Sequence, residues 1–250
     1  STLFPYTTLF RSNGGNLASG VHGGGVDATN LRLVLEETTV LNNRATRGGG
    51  ISMRRNGNAV SVILELQRNV SVLGNAANYG GGIYAAHASV RIRPDGTEIA
   101  ANVAAEGTGG GLHLEFSDLS VGSFGLPETS NTAKGLVIRD NLTSYGGGGL
   151  FAESGLIDLR ETAFLRNMTH ARSGGAILIR RGQLQVGRDS SGLAVQCPAG
   201  VACSRFENNV AGFDCPRDDG DGGAIALYDT RAFVQQTLFS GNCGAYGAVL

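Results

Sequence analysis

A glycine cluster followed by an aliphatic residue recurs along the chain and constrains the fold more than any other feature. The pattern is Gly-Gly-[Gly/Ala]-[Ile/Leu/Val]. Its eight copies begin at Gly23, Gly48, Gly80, Gly109, Gly147, Gly174, Gly222 and, in a weaker form, Tyr246. Successive copies start 25, 32, 29, 38, 27, 48 and 24 residues apart. Self-similarity at such intervals indicates a repeat architecture, in which each unit buries its apolar face against its neighbours.

A second element precedes seven of these clusters and consists of an apolar residue three positions before an asparagine. The asparagines are Asn43, Asn75, Asn102, Asn141, Asn167, Asn209 and Asn242, and the apolar residues are Val40, Val72, Ile99, Ile138, Phe164, Phe206 and Phe239. Glycine admits positive φ and close backbone approach. Asparagine tolerates the left-handed region, and stacked asparagines form ladders. Both elements are therefore predicted at turns.

Short alternating stretches between the clusters read as strands. Residues 60–67 place valine and leucine on one face and serine, glutamate and glutamine on the other. No stretch has helical length with a period of about 3.6 residues. The predicted fold is all-β, a right-handed parallel β-helix solenoid of about eight to ten coils, stacked at about 4.8 Å. Insertions are expected to loop out at turns within residues 113–137 and 180–221.

The domain prediction separates two segments. Residues 1–12 resemble the in-frame translation of a sequencing adapter, which implies assembled reads and a non-native start. Residues 13–250 are predicted to form one β-helix fragment with both ends truncated. No apolar run is long enough to span a bilayer, so no membrane-spanning segment is expected in this fragment.

Charge and composition disfavour several functions. The chain has 20 basic and 21 acidic residues, so a nucleic-acid partner is not expected. Lys134 is the only lysine, which disfavours lysine-based chemistry, and four scattered histidines suggest no catalytic triad. Residues 23–28 match a G-x-G-x-x-A dinucleotide pattern, but the segments starting at Gly80 and Gly147 match it too, so a structural turn is the favoured interpretation. No cofactor and no catalytic residue are predicted.

An acidic cluster and several arginines remain as candidate sites. Asp218, Asp219 and Asp221 are candidates for a Ca²⁺ site or for acid–base work on a polysaccharide, although a solvated insertion is the favoured interpretation because the EF-hand spacing is missing. Arg91 with Arg93, and the pair at 180–181, stand on or near strands. A polysaccharide lyase needs an arginine beside carboxylates, whereas the simpler interpretation is a solvated outer face.

All four cysteines fall in the last quarter of the chain and match no standard zinc spacing. An even count favours disulfides in an exported protein, with Cys197 paired to Cys203 and Cys215 paired to Cys243; free thiols are the alternative. Tyr79, Tyr145 and Tyr246 precede glycine clusters, and a stacked ladder is favoured over a binding site. Sequons at Asn69, Asn141 and Asn167 matter only in a eukaryotic secretory route.

The paired elements resemble the repeats of chlamydial polymorphic outer-membrane proteins, with Phe164-x-x-Asn167 before Gly174-Gly175-Ala176-Ile177, and Phe206-x-x-Asn209 before Gly222-Gly223-Ala224-Ile225. The resemblance covers roughly residues 13–250, although phenylalanine stands at the first position in only three of the seven pairs. It implies a pectin-lyase-like β-helix of the autotransporter-passenger type, displayed at the cell surface and active in adhesion.

The predicted function is a non-catalytic surface or secreted module, with adhesion or surface structure as its role. The expected partners are host or matrix proteins or glycans, and the expected location is extracellular or on the outer-membrane surface. The alternative is a polysaccharide lyase or glycoside hydrolase on the same fold, because the fold alone does not decide the function. A secreted eukaryotic β-helix of unknown role is a third hypothesis.

Overall fold

A computed structural model describes residues 8–11, 21–58, 61–122, 135–170, 173–187, 204–213, 215 and 220–246. All regular structure in these ranges is β-strand. In chain order the strands are β1 (Thr8–Arg11), β2 (Val26–Thr29), β3 (Arg32–Glu36), β4 (Thr38–Leu41), β5 (Ile51–Arg54), β6 (Ile63–Gln67), β7 (Ser71–Leu73), β8 (Ala76–Ala77), β9 (Ile83–Ala86), β10 (Ser89–Ile92), β11 (Glu98–Ala100), β12 (Val103–Ala104), β13 (Leu112–Glu115), β14 (Asp118–Val121), β15 (Leu136–Arg139), β16 (Leu142–Thr143), β17 (Leu150–Leu159), β18 (Thr162–Leu165), β19 (Met168–Thr169), β20 (Ile177–Val186), β21 (Ser204–Glu207), β22 (Val210–Ala211), β23 (Ile225–Tyr228), β24 (Arg231–Val234) and β25 (Thr237–Ser240).

The strands form three sheets, and every pair of neighbouring strands is parallel. Sheet A has eight strands in the order β1-β4-β7-β11-β15-β18-β21-β25, and sheet B has five in the order β8-β12-β16-β19-β22 when followed along the chain. Sheet C has twelve strands, of which β17 and β20 are long enough to join its two halves. Because neighbouring strands in sheets A and B follow one another in chain order, each repeat adds its strands beside those of the preceding repeat.

One repeat shows how the sequence pattern becomes structure. After the glycines at 48–50, the chain enters β5 and then β6, which lie in the two halves of sheet C. It continues through β7 of sheet A, passes Asn75 and forms β8 of sheet B before reaching the next glycine cluster. The alternation predicted over residues 60–67 is present in β6, where Leu64 and Leu66 are fully buried in the core.

Strand register aligns the apolar residues of the repeats and builds one continuous core. In sheet A, Val40 pairs with Val72, Val72 with Ile99, and Ile99 with Ile138. The row continues through the three phenylalanines Phe164, Phe206 and Phe239. Rows of this kind bury apolar surface between repeats, and each repeat depends on its neighbours for that burial.

The two predicted insertions are shorter than expected. Residues 112–121 form β13 and β14, residues 180–186 belong to β20, and residues 204–211 form β21 and β22, because their side chains pack into the same rows as those of other repeats. The remainders at 123–134 and 188–203 lie outside the described residues. Strand β1 falls within residues 1–12 and pairs in register with β4.

Candidate functional site

The seven repeat asparagines form one hydrogen-bonded ladder. Asn75 donates its backbone N–H and its Nδ2–H to Oδ1 of Asn102, at 2.9 and 3.0 Å. Asn102 makes the same two bonds to Asn141, both at 3.0 Å. The pattern runs from Asn43 to Asn242 without a break. Each inner oxygen therefore accepts two bonds from the preceding repeat.

The second Nδ2 hydrogen of each asparagine after the first binds the preceding repeat. Nδ2 of Asn102 donates to the carbonyl of Val72 at 3.0 Å, and Nδ2 of Asn141 donates to the carbonyl of Ile99 at 3.0 Å. These carbonyls belong to the apolar residues of the sequence pair. The pairing thus has a physical cause: the apolar side chain fills the core while its carbonyl accepts the asparagine of the next repeat. The first six asparagines are buried, and a buried amide needs such partners.

The left-handed backbone lies one residue before each asparagine, and not at the asparagine as the sequence interpretation had it. Positive φ occurs at Asn42, Gly74, Ala101, Asp140, Arg166, Asn208 and Gly241. The preceding residue takes the tight corner, and the asparagine is then free to point inward. Asp140 and Arg166 occupy this position in successive repeats and form two hydrogen bonds, at 2.7 and 2.9 Å, which lower the pKa of Asp140.

The glycine triplet has a different requirement at each position, as the cluster at 48–50 shows. Gly48 has φ +64°, which favours glycine. A Cβ on Gly49 would lie within 3.0 Å of the backbone carbonyls of Gly81 and Ala76. The third position is less restrictive, since alanine occupies it at 176 and 224. The three segments that match the dinucleotide pattern start at Gly23, Gly80 and Gly147. Each leads into a strand, at β2, β9 and β17 respectively, whereas a dinucleotide-binding loop leads into a helix.

A polar and aromatic cluster covers the outer face of sheet C over β9, β13 and β17. The Tyr84 hydroxyl donates to Glu115 at 2.8 Å, and Nε2 of His113 lies 3.1 Å from the other Glu115 oxygen. Nδ1 of His113 lies 2.9 Å from the hydroxyl of Thr108. The His113 ring stacks on Tyr84 at 5.3 Å and contacts Phe151 at 4.8 Å.

The electrostatics of this cluster favour a bracing role. Burial and the hydrogen bond to Glu115 raise the pKa of Tyr84, so its phenol stays protonated and does not act as a base. The hydrogen bond from His113 lowers the pKa of Glu115, which stays ionised. Both nitrogens of His113 have partners. The cluster can thus hold neighbouring strands together. The sequence did not predict it, because its members are far apart in sequence and are brought together only by the register of the strands.

Four aromatic side chains are exposed in the connections between an asparagine and the following glycine cluster. They are Tyr79, Tyr145, Phe213 and Tyr246, with exposed fractions of 38, 59, 71 and 65%. We call this set the aromatic edge. The expected tyrosine ladder is absent from the described ring pairs, where Tyr79 instead makes an edge contact with His113. The three tyrosines lie in repeats that are not neighbours, and Thr108, Ser173 and Asp221 precede the intervening glycine clusters, so the tyrosine rings do not meet.

The cysteine and aspartate predictions have separate outcomes. Cys215 and Cys243 form a disulfide with a Cα–Cα distance of 6.0 Å, as predicted, and it is compatible with an oxidising environment. Cys197 and Cys203 lie outside the described residues, as do Asp218 and Asp219. Asp221 pairs with the backbone of neighbouring repeats and accepts the Tyr228 hydroxyl at 3.0 Å. The described part of the chain contains no group of three residues suited to a metal ion.

Two further sequence signals are clarified by burial. The sequon asparagines Asn141 and Asn167 are ladder members with 1 and 0% exposure, so the folded protein cannot accept a glycan there, whereas Asn69 is exposed.

Within the ranges described, no helix could cross a membrane. No known protein family, curated protein or solved structure matches the chain.

Proposed function

We propose that the chain is part of a right-handed parallel β-helix that acts outside the cell as a non-catalytic adhesive or structural module. The β-helix interpretation is supported by three all-parallel sheets, two of which follow chain order strand by strand. Right-handedness is supported by the rule that about 98% of crossovers between parallel strands of one sheet are right-handed. The paired repeats also resemble those of polymorphic outer-membrane proteins.

An extracellular or outer-membrane location is supported by the disulfide between Cys215 and Cys243. Such bonds persist in oxidising compartments and are rare in reducing ones. The interlocked asparagines and glycines further support a rigid scaffold, whose variable connections then carry the partner contacts.

The aromatic edge is the observation that carries the adhesive role. Its four residues come from the same type of connection in four repeats, and three of them expose more than half of their side chains. Tyrosine and phenylalanine are enriched in protein interfaces because a rigid ring buries a large area at little cost in side-chain entropy. Repeated exposure of such rings along one edge suits a partner of extended shape, such as a host or matrix surface.

A surface-binding assay with a matched variant tests this role. The chain is immobilised and tested for retention of cells or matrix-coated beads. The double variant Tyr145→Ser/Phe213→Ser is expected to lose at least tenfold in binding. Phe116→Ser is the control, since Phe116 is 56% exposed but lies at a different corner, stacked on His87. Equal binding by all three proteins contradicts the adhesive role.

A catalytic role is tested in parallel with acidic and neutral polysaccharides. A lyase produces unsaturated ends, and a hydrolase produces new reducing ends. The proposed module produces neither at any tested calcium concentration. Turnover that depends on a named carboxylate or arginine of this chain refutes the non-catalytic proposal and favours the enzyme alternative.

A further inference from the structure

An arginine-rich cleft lies on the outer face of sheet C, away from the aromatic edge and the Tyr84 cluster. It is formed by strands β3, β6 and β10 and has a volume of about 190 Å³. Its lining residues are Arg32, Glu65, Leu66, Gln67, Arg91 and Arg93. Arg32 and Gln67 come from neighbouring strands, and strand register brings the residues together across about 60 positions of sequence.

The cleft holds an excess of positive charge. Among the described lining residues, three guanidinium groups surround one carboxylate, so two positive charges are in excess. Glu65 is nearly buried and accepts Arg32 at 2.9 Å and Gln67 at 2.8 Å. Its Oε1 lies 3.6 Å from Nη1 of Arg91, a distance too long for a hydrogen bond. Arg93 has no ion pair among the described residues.

Glu65 orients two donor side chains of the cleft and leaves the donors of the other arginines available to a ligand. By holding Arg32 and Gln67, the carboxylate orients donors before any ligand arrives, which lowers the cost of binding. The guanidinium groups of Arg91 and Arg93 keep donors for an anion, and the arginine fork matches carboxylate and sulfate oxygens. Arg91 exposes 45% of its side chain, so the donors face solvent.

We propose that this cleft binds a carboxylate or sulfate group of an anionic polysaccharide. The inference rests on the surface-module function proposed above and names the chemistry of one partner. The cleft is smaller than the roughly 300–1,000 Å³ of typical small-molecule pockets, so it fits one charged sugar unit and not a whole ligand.

The outer face beside the cleft suits a polymer. Arg91 lies in a row that continues through Ser120, Asp158 and Gln185 on successive strands. These strands are spaced about 4.8 Å apart, so a chain lying across them meets one polar side chain per strand. Sugar hydroxyls match such hydroxyl and amide groups, and the carboxylate of Asp158 is paired with Arg160 at 2.8 Å, so it adds no unpaired negative charge to the row.

An acidic peptide fits less well than a glycan. Most of the binding energy of a protein or peptide partner comes from a few side chains buried in well-packed pockets. Among the described residues that line the cleft, Leu66 is the only apolar one, and it is fully buried in the core. A peptide would therefore gain charge contacts and no apolar anchor, whereas a glycan needs only charge and hydroxyl partners.

The test measures binding of the full 250-residue chain, with its disulfide intact, to heparin, polygalacturonate, neutral dextran and poly-glutamate. Arg91→Ala/Arg93→Ala is expected to lose at least tenfold in affinity for the two acidic glycans, because charge-assisted hydrogen bonds contribute strongly. Arg205→Ala/Arg231→Ala removes the same charge from exposed positions outside the cleft and is expected to change affinity less than twofold. Circular dichroism checks the folding of both variants.

The comparison of ligands gives each outcome a meaning. Tighter binding of heparin than of fully desulfated heparin identifies sulfate as the recognised group, and equal binding of these two glycans identifies carboxylate. No binding of heparin or polygalacturonate, equal losses in both double variants, or stronger binding of poly-glutamate overturns the cleft proposal while the adhesive role of the aromatic edge stands. Binding followed by cleavage overturns the non-catalytic function while the cleft stands.

Discussion

Removal of one ladder asparagine is expected to destabilise the fold far more than its size suggests. In Asn102→Ala, the N–H and Nδ2–H of Asn75 lose their acceptor, and the carbonyl of Val72 loses one donor but keeps its bond within the sheet. Asn141 loses one of the two bonds to its Oδ1. Two buried donors are left unpaired, each at about 1–3 kcal/mol, so the predicted loss is about 2–6 kcal/mol. Whole domains are stable by only about 5–15 kcal/mol.

Guanidinium unfolding followed by circular dichroism measures this loss. Asn58→Ala is the control, because Asn58 is exposed in a turn, and its expected change is within about 0.5 kcal/mol. A loss below about 1 kcal/mol in Asn102→Ala refutes the claim that the ladder stabilises the stack.

Asn102→Asp tests the direction of the ladder bonds, because it keeps the acceptor and removes the donors. Its second carboxylate oxygen faces the Val72 carbonyl and Oδ1 of Asn141, which raises the pKa of the new carboxyl in the folded state. Protonation restores one donor. The deficit relative to wild type is therefore smallest below the unfolded pKa of about 3.9 and grows as the pH rises through the raised folded pKa. A deficit that is independent of pH contradicts the bond directions.

Three further predictions concern other parts of the structure. Gly49→Ala is expected to cost about 3 kcal/mol of unfolding free energy because its methyl meets backbone carbonyls, and Gly50→Ala about 1 kcal/mol; the reverse order in denaturation contradicts the roles given to the triplet. Cys215→Ser is expected to cost about 3.5 kcal/mol, since the bond to Cys243 closes a separation of 28 residues, and an unchanged melting temperature argues against that link. The lowered pKa of Glu115 adds stability that is present above about pH 4.3 and is lost as the pH falls through its folded pKa; Glu115→Gln should remove this component of an acid titration, and an unaltered titration excludes it.

The repeat positions could be predicted because each is fixed by a local requirement. An asparagine that makes four hydrogen bonds to its counterparts in the two neighbouring repeats must recur, and so must a glycine such as Gly48 with positive φ. The residue that takes the left-handed corner was harder to predict, because Ala101 and Arg166 are not residue types that mark such a turn. Local preference is overridden there by the ladder bonds of the next residue.

The outer-face groups could not be predicted for a different reason. Tyr84 and Glu115 are 31 residues apart, and Arg32 and Glu65 are 33 apart. Their contacts depend on which strands pair and in which register, while the connections between asparagine and glycine cluster vary in length. A one-residue change of register would turn each side chain to the opposite face of the sheet. The sequence therefore indicates the scaffold more clearly than the surfaces that it presents.

The most direct test of the stacked fold is a nuclear Overhauser spectrum of protein labelled with ¹⁵N at asparagine. The side-chain amide hydrogens of Asn75 are expected to show cross-peaks to Asn102, and those of Asn102 to Asn141, because these groups are hydrogen-bonded at 3.0 Å. The same signals should persist after transfer to deuterated water, since the ladder is buried. Absence of these cross-peaks, together with rapid exchange of the amides, would contradict the asparagine ladder and the parallel stack built on it.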